Sequence, residues 1–285
     1  MELPIGSDFM SKIYSYFKLI RPVNVLIAGF SVVVGTVVAG GSDCYWKIIL
    51  AFVSAGLIAG GGNAINDYFD LEIDRINKPR RPLTKGEILP KNAMLVSFLL
   101  LTSGIILSVF VNAVALALCV LASLLLVIYS RFLKRTLLIG NLTVSLASSL
   151  AFVYGGIITK DFRLSLVPAV LSFFFHLGRE ILKDLEDFRG DVAFGAKTLP
   201  VVKGERISKI FISVVFILLV ILIFLPYILH LFSIIYLIVA FLGVILILLY
   251  ATYSLWKDSS TRNLSRLSIL LKVSMCFGLV ALLLG

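Results

Sequence analysis

Long apolar runs, separated by short polar segments, occupy most of this sequence of 285 residues. A helix needs about 20 apolar residues to cross the hydrocarbon core of a bilayer. Nine runs have this length or come close to it, and they cover residues 23–38, 48–65, 94–111, 113–129, 137–158, 164–181, 207–227, 231–253 and 267–284. With 60% hydrophobic residues, the chain also exceeds what a soluble domain of its size can bury. We therefore predict an all-α integral membrane protein with about nine transmembrane helices.

The basic residues are distributed unevenly between the two sides of the predicted bundle. Of the 26 Lys and Arg residues, 23 lie in the N-terminal segment or in the loops after the even-numbered runs, where the last group extends from Lys257 to Lys272. Because cytoplasmic loops are enriched in Lys and Arg, the N-terminus and these loops are predicted to be cytoplasmic in a multi-pass protein of the cell membrane. This topology accounts for the net charge of +10 without a nucleic acid. No sequence feature indicates an obligate protein partner.

Two polar motifs interrupt the apolar pattern, at the ends of the second and sixth runs. In each motif, five polar residues stand at offsets of 0, 3, 4, 7 and 11 and are predicted to project from one face of a helix. The first set is Asn63, Asn66, Asp67, Asp70 and Asp74, and the second, 117 residues later, is Glu180, Lys183, Asp184, Asp187 and Asp191. Helices that leave a membrane are often charged, so one motif would carry little weight. Two matched motifs indicate a shared polar site.

The relation between the motifs extends to other residues. The same shift takes Asn24 to Asn141 and Gly61 to Gly178. The economical interpretation is a single domain over residues 1–285, with two four-helix pseudo-repeats at about residues 20–130 and 137–255 and a final helix at residues 267–284. Long polar loops follow the motifs, at residues 75–91 and 190–205. Since both loops are predicted to be cytoplasmic, we expect them to cap one site.

The residue types of the motifs indicate their chemistry. Carboxylate and amide oxygens without paired His or Cys suit Mg²⁺, which commonly shares its ligand positions between carboxylates and substrate phosphates. A diphosphate that bridges two metal sites is therefore the expected ligand, and nearby basic side chains are expected to contact its oxygens. A diphosphate held at the mouth of an apolar bundle implies a lipid substrate. The predicted reaction cleaves an allylic C–O bond away from water.

The two motifs resemble those of a known protein family. Residues 66–74 read NDYFDLEID and match the NDxxDxxxD motif of the UbiA-type intramembrane prenyltransferases, while residues 184–191 read DLEDFRGD and match their second motif, DxxDxxxD. The likeness covers nearly the whole chain and includes Arg21-Pro22, Tyr129-Ser130 and Gly140-Asn141. It implies nine helices around a central cavity, two Mg²⁺ ions under a helical cap and a lateral opening to the bilayer.

The resemblance also implies roles for individual residues. The metal ligands would be Asn66, Asp70, Asp74, Asp184, Asp187 and Asp191. Catalysis would depend on these aspartates together with Asp67. Arg21, Lys134 and Lys197 would contact the diphosphate. The remaining residues predicted to bind substrate are Asn24, Asn63, Asn66, Arg75, Lys78, Arg81, Tyr129, Asn141 and Lys183.

Within the family, the chain most resembles the archaeal digeranylgeranylglyceryl phosphate synthases. The likeness rests on INKPRRPLTKGEI in the first loop and on REILKDLEDFRGD and GAKTLP in the second. Those enzymes transfer a geranylgeranyl group from geranylgeranyl diphosphate to the free hydroxyl of geranylgeranylglyceryl phosphate. Such an acceptor needs cationic contacts for its own phosphate, and Arg75, Lys78 and Arg81 are the candidates. An aromatic acceptor, 4-hydroxybenzoate or a naphthoate, is the alternative, because the motifs handle only the donor.

Two other classes of membrane protein are less consistent with the sequence. CDP-alcohol phosphotransferases also use clustered aspartates and Mg²⁺, but their DGxxAR pattern is absent. A cation-coupled transporter would place carboxylates in mid-membrane and use inverted repeats. Here the predicted repeats share one orientation and the carboxylates stand at helix ends. Single polar residues such as His176 and Asn112 are attributed to helix packing and to a loop.

Overall fold

The computed structural model describes the backbone of residues 5–285 and the side chains of residues 10–285. Within this range the regular structure is helical throughout. The α-helices are α1 (Ile5–Ile20), α2 (Pro22–Val38), α3 (Tyr45–Phe69), α4 (Leu71–Asn77), α5 (Pro90–Val109), α6 (Ala113–Ile128), α7 (Ile139–Gly156), α8 (Leu166–Glu186), α9 (Phe188–Ala193), α10 (Leu199–Ile228), α11 (Ile234–Ala240), α12 (Leu246–Lys257) and α13 (Thr261–Leu283). Two π-helical turns, Tyr129–Leu133 and Phe241–Ile245, extend α6 and join α11 to α12, and a 3-10 turn at Arg163–Ser165 precedes α8.

The predicted transmembrane helices are confirmed. In the described part of the chain, eight helices are long and apolar enough to cross a membrane, and α2 adds a ninth when it is taken with Met10–Ile20, from which it is bent by 48°. Each apolar run of the sequence corresponds to one of these spans. Local signals separate the pairs of helices that have the shortest connections. Asn112 Oδ1 accepts a hydrogen bond from Ala115 N at 2.8 Å and caps α6. His230, with φ of 56°, follows the end of α10.

Small residues let α2 and α7 pack with their backbones in contact. A Cβ atom on Gly35 would lie 2.1 Å from Phe152 O, and one on Gly155 would lie 1.9 Å from Val32 O, so neither position has room for a side chain. Thr36 Oγ1 donates to Gly155 O at 2.9 Å across the same contact. Close approach of small residues and interhelical hydrogen bonds stabilise helix pairs inside membranes. This contact fixes one wall of the interior.

Two apolar cores flank a central cavity. Val32, Ala51 and Leu101 belong to the core among α2, α3, α5, α6 and α7, while Phe216 and Leu248 belong to the core that α8 forms with α10 to α13. The cavity between the cores is lined by α2, α3, α6, α7, α8 and α13. The outer surface remains apolar, as expected for side chains that face lipid. In the described part of the chain, the charged residues of the interior therefore gather at the cavity and at the end of the bundle where α3 and α8 terminate.

The loop between α4 and α5 is held against α1 at one end of the bundle. Leu83 and Ile88 are buried in a small core with Leu19. Ser15 Oγ donates to Glu87 Oε2 at 2.6 Å, which ties the loop to α1. Lys78 and Arg81 line the cavity, so this loop covers the end of the bundle at which α3 and α8 terminate. The predicted cap over the acidic motifs is present on the first motif's side.

Candidate active site

Both acidic motifs break at the same position. α3 ends before Asp70 and α8 ends before Asp187, and these two residues have nearly identical backbone angles, with φ of −91° and ψ of 0° in Asp70 and φ of −90° and ψ of 4° in Asp187. The prediction that each motif occupies one face of one helix is therefore wrong. The last aspartates, Asp74 and Asp191, lie on the short helices α4 and α9. Each still donates a backbone hydrogen bond to the aspartate at the break, from Asp74 N to Asp70 O at 2.8 Å and from Asp191 N to Asp187 O at 3.1 Å. Each motif therefore stays compact.

One asparagine joins the two motif segments. Asn77, the last residue of α4, donates from Nδ2 to Asp187 O at 3.0 Å and accepts at Oδ1 from Gly190 N at 3.0 Å. A Cβ atom on Gly190 would lie 2.4 Å from Asn77 Nδ2, so only glycine leaves room for this pair of bonds. The contact sets the position of α9 relative to α4. Sequence reasoning missed it, because neither residue is an acidic or basic member of a motif.

The aspartates of the first motif are each engaged by basic side chains. Asp67 is buried and pairs with Arg21 and with Arg81, whose Nη1 lies 3.0 Å from Asp67 Oδ1. Asp74 also pairs with Arg81. Asp70 pairs with Lys134 and accepts a hydrogen bond from Asn66 Nδ2 at 2.8 Å.

Arg21 has a left-handed backbone, with φ of 54° and ψ of 76°, at the bend between α1 and α2. Non-glycine residues in that region are strained and occur often at functional sites.

The aspartates of the second motif have fewer cations. Asp187 Oδ1 lies 3.0 Å from Lys78 Nζ, which also pairs with Glu186. Asp184 accepts from Asn141 Nδ2 at 2.8 Å, and Asp191 accepts from Thr198 Oγ1 at 2.9 Å. Among residues 10–285, neither of these two carboxylates is within ion-pair distance of a basic group. The second motif therefore keeps uncompensated negative charge.

We define the motif cluster as the six motif aspartates, Glu186 and their basic partners. It contains seven acidic residues and four basic ones, Arg21, Lys78, Arg81 and Lys134. The two halves interact electrostatically, since Asp191 is influenced by the charges of Asp70 and Lys134. Burial raises the pKa of Asp74 and that of Asp191 to about 6. The basic residues present thus do not fully offset the desolvation of these carboxylates, which is a setting that favours a further cation.

The donor atoms of the motif cluster fit Mg²⁺. They are carboxylate oxygens, and Asn66, whose Nδ2 donates to Asp70, adds an amide oxygen beside them. Hard divalent cations prefer both kinds of ligand. Within residues 10–285, no three acidic, His or Cys side chains are close enough together to hold a metal ion as they stand. Arg81 and Lys134 pair with these carboxylates instead. The excess of acidic residues and the choice of oxygen donors nevertheless suit a cation of this type.

The cavity below the motif cluster has a volume of about 370 Å³. Eight of the residues predicted to bind substrate line it, namely Arg21, Asn24, Asn63, Asn66, Lys78, Arg81, Tyr129 and Lys183. A narrower pocket of about 80 Å³ shares Ile27, Ser31, His176 and Met275 with it and is otherwise almost wholly apolar. A polar mouth that leads to an apolar end suits a ligand with a charged head and a hydrocarbon tail.

Four predicted substrate-binding residues lie off this cavity. Lys134 and Asn141 contact the motif aspartates directly. Arg75 has a side chain that is 62% exposed and pairs with Glu72 at 3.1 Å. Lys197 is exposed, and its backbone N donates to Arg135 O at 2.8 Å. The structure therefore does not bring Arg75 and Lys197 together with the other predicted residues.

Comparison with known proteins assigns the chain to a family. The sequence profile of the UbiA prenyltransferase family matches residues 28–275. The chain belongs to this family. A digeranylgeranylglyceryl phosphate synthase from Thermococcus kodakarensis is 37% identical over 272 residues, which cover 95% of this chain and 97% of that protein. This UbiA-type protein is an intramembrane prenyltransferase, as the sequence predicted.

Solved structures agree with the fold of this prenyltransferase. A structure reported for digeranylgeranylglyceryl phosphate synthase in membranes has a TM-score of 0.74 and 35% identity, and the match covers 97% of this chain and 99% of that chain. A UbiA homolog from Archaeoglobus fulgidus, bound to GPP and Mg²⁺, has a TM-score of 0.68 at 20% identity over 94% of this chain and 99% of that chain. The predicted fold class is confirmed.

The cavity of this prenyltransferase also contains polar residues that the sequence analysis did not assign to substrate binding. Lys272 was counted among the loop cations, but it lies within α13 and lines the cavity. Arg179 and Glu180 of α8 line it as well, and so does His176, whose Nδ1 is 2.9 Å from Ser172 O. Their position inside apolar runs could have indicated a role in the cavity, because an ionisable residue within a transmembrane segment is a functional candidate.

Proposed function

We propose that this prenyltransferase transfers a geranylgeranyl group from geranylgeranyl diphosphate to the free hydroxyl of geranylgeranylglyceryl phosphate. The observation that carries the proposal is the position of the motif cluster, with its acidic excess, at the polar end of a cavity whose other end is apolar. The relative from Thermococcus kodakarensis, which carries the synthase name, matches nearly the whole chain and not only the motifs. The likeness therefore includes the helices that line the cavity.

The motif cluster is proposed to hold the donor's diphosphate through two Mg²⁺ ions. Asn66, Asp70 and Asp74 would serve one ion, and Asp184, Asp187 and Asp191 the other. Bound Mg²⁺ would neutralise the charge of the departing diphosphate. The homolog from Archaeoglobus fulgidus is bound to GPP and Mg²⁺, and the proposal extends this kind of ligand to the present chain on the strength of its own oxygen donors.

The basic residues of the motif cluster have a second task in this proposal. Arg21, Arg81 and Lys134, which pair with aspartates here, would donate charge-assisted hydrogen bonds to diphosphate oxygens when the donor binds. The allylic C–O bond then breaks and its electron pair leaves with the diphosphate. The acceptor's hydroxyl oxygen forms the new ether bond to the same carbon, and its proton passes to the diphosphate or to a nearby base. The cavity walls keep water away from the cationic carbon.

The proposal includes the orientation of the protein in the cell membrane. The N-terminus, the loops at residues 75–91 and 190–205, and the motif cluster would face the cytoplasm, as the distribution of Lys and Arg favours. A cysteine placed at Lys85 in a background without Cys44, Cys119 and Cys276 tests this. An impermeant thiol reagent is expected to label it only after the cells are opened, and labelling from outside intact cells would contradict the orientation.

The reaction is tested with purified protein, Mg²⁺ and radiolabelled geranylgeranyl diphosphate. Three acceptors are offered in parallel: geranylgeranylglyceryl phosphate, 4-hydroxybenzoate and a naphthoate. The proposal predicts label transfer to the glycerol phosphate ether. Transfer to an aromatic ring in preference would replace the proposed acceptor but retain the prenyltransferase assignment.

A further inference from the structure

A lysine lies in the middle of the last transmembrane helix. Lys272 stands eleven residues after Thr261, the first residue of α13, which is about 16 Å along the helix at 1.5 Å per residue. Its side chain lines the cavity. Within residues 10–285 it forms no ion pair and no hydrogen bond. A charged side chain at this depth is costly, and such residues usually mark ligand or ion pathways.

α8 packs against α13 and places Arg179, Glu180 and Lys183 along the same wall of the cavity, while Glu186 at the end of α8 pairs with Lys78. The side chain of Arg179 is 10% exposed, and its Nη1 lies 3.2 Å from Glu180 Oε1. Lys183 Nζ lies 2.7 Å from Glu180 Oε2, so two cations share one carboxylate. Arg179 Nε is buried and has no hydrogen-bond partner among the described residues. Lys272 lies close enough to Arg179 and Lys183 to interact electrostatically with both.

We define the wall cluster as Arg179, Glu180, Lys183 and Lys272 with Ser265 and Ser268. The two serines line the cavity on the face of α13 that carries Lys272 and offer hydroxyl donors. Three cations against one anion leave two positive charges. A phosphate monoester carries a charge of about −1.5 to −2 at pH 7 and has three acceptor oxygens. The wall cluster therefore matches such a group in charge and in hydrogen-bonding capacity.

We propose that the wall cluster binds the phosphate of the acceptor, a phosphate monoester of a glycerol ether lipid. This inference rests on the proposed function and changes its residue assignment. Of the earlier candidates, Arg75 is exposed and paired with Glu72, while Lys78 and Arg81 pair with acidic residues of the motif cluster. The donor's diphosphate and the acceptor's phosphate then bind to different walls of one cavity. The acceptor's hydroxyl lies between them, where the donor carbon becomes electrophilic.

The test measures steady-state kinetics of Arg179→Gln and Lys272→Gln with both substrates varied in turn. Each variant is expected to raise the KM for the phosphorylated acceptor by about tenfold or more, equivalent to about 1.4 kcal/mol, while the KM for geranylgeranyl diphosphate changes by less than about twofold. Lys257→Gln, which alters an exposed lysine at the end of α12, is the matched control and should resemble the wild type. Lys272→Arg should recover most of the acceptor affinity.

A second acceptor separates the phosphate contact from a general loss of activity. With the dephosphorylated ether alcohol, the wild type and both variants should react at equally low rates, because no phosphate remains for the wall to bind. A variant that raises both Michaelis constants together, or that slows the alcohol and the phosphate equally, would overturn the wall assignment. Failure of the wild type to use the phosphorylated acceptor at all would instead overturn the proposed function, so the two failures are distinguishable.

Discussion

The motif cluster and the wall cluster differ in the sign of their charge imbalance. The first has seven acidic and four basic residues, and the second has three basic residues and one acidic residue. They flank one cavity and lie on neighbouring segments, since α8 carries Arg179 and Glu180 in its interior and leads into Asp187 at its end. Two zones that are a few helical turns apart thus have charge imbalances of opposite sign.

This difference indicates what each zone binds. A buried ion pair that serves only the fold is expected to be matched, because an uncompensated buried charge is strongly destabilising. Among residues 10–285, Asp184 and Asp191 of the motif cluster have hydrogen bonds but no ion pair, and Lys272 of the wall cluster also has no ion pair. We infer that the missing partners are ligands of opposite charge. A divalent metal suits the first zone, and a phosphate suits the second.

Removal of divalent cations should have the largest effect. Chelation is expected to abolish transfer, because the motif carboxylates would then face the diphosphate without neutralising charge. Added Mg²⁺ should restore it, and Mg²⁺ together with an unreactive prenyl diphosphate analogue should raise the Tm, since ligands that bind only the folded state stabilise it. Thermal unfolding with and without each addition provides the measurement. Full activity in chelator would rule out a metal in the motif cluster.

Asp70→Asn and Asp187→Asn are expected to have the next largest effects. Each should lower kcat by about a hundredfold, which corresponds to about 2.7 kcal/mol in the barrier, and the two losses should be similar because both motifs serve one site. Asp161→Asn is the matched control, since Asp161 is exposed and pairs with Arg163 at 2.5 Å. If either motif variant kept more than about a tenth of the wild-type rate, that motif would be structural only.

The bond between α4 and α9 should have a smaller effect. Asn77→Ala and Gly190→Ala both disturb the same contact, so each is expected to lower kcat by about tenfold while the double variant is little worse, as for residues that act as a unit. Asn92→Ala serves as control, because Asn92 is half-buried, lies outside both motifs, and has a side chain whose hydrogen bond is a long one of 3.4 Å to Tyr16 Oη. Additive losses would show that the two residues act separately.

Replacement of Arg75 should have the smallest effect. Arg75→Ala is expected to change either Michaelis constant by less than about twofold, because an exposed ion pair contributes about 0–1 kcal/mol. Arg81→Ala, six residues on, removes a partner of Asp67 and Asp74 and should raise the KM for the donor. Kinetics of the two variants side by side would sharpen the boundary of the motif cluster, and equal effects would contradict that boundary.

The sequence predicted those features that depend on local patterns. Apolar runs indicated the nine spans, and the matched spacing of the aspartates indicated that two distant motifs share one site. Asn77 escaped notice because its partners, Asp187 and Gly190, are more than a hundred residues away. Only the packed structure brings them together.

Lys272 was misplaced for a related reason. Ser260 Oγ caps α13 by accepting from Asn263 N at 3.3 Å, so the helix begins at Thr261, before its apolar part. Lys272, which lies inside the apolar run 267–284 although the charge count grouped it with the loop cations, is therefore in mid-helix and not near the start of the helix. The charged side chains around Lys272 belong to α8, so the sequence of α13 by itself does not indicate that Lys272 is without an ion pair among the described residues.

The division of labour between the two clusters is tested most directly by equilibrium binding of radiolabelled geranylgeranyl diphosphate in the presence of Mg²⁺. Asp70→Asn and Asp187→Asn are each predicted to weaken Mg²⁺-dependent binding by more than about tenfold, or about 1.4 kcal/mol, while Lys272→Gln stays within about twofold of the wild type. Wild-type affinity in either aspartate variant, or an equal loss in Lys272→Gln, would contradict the account.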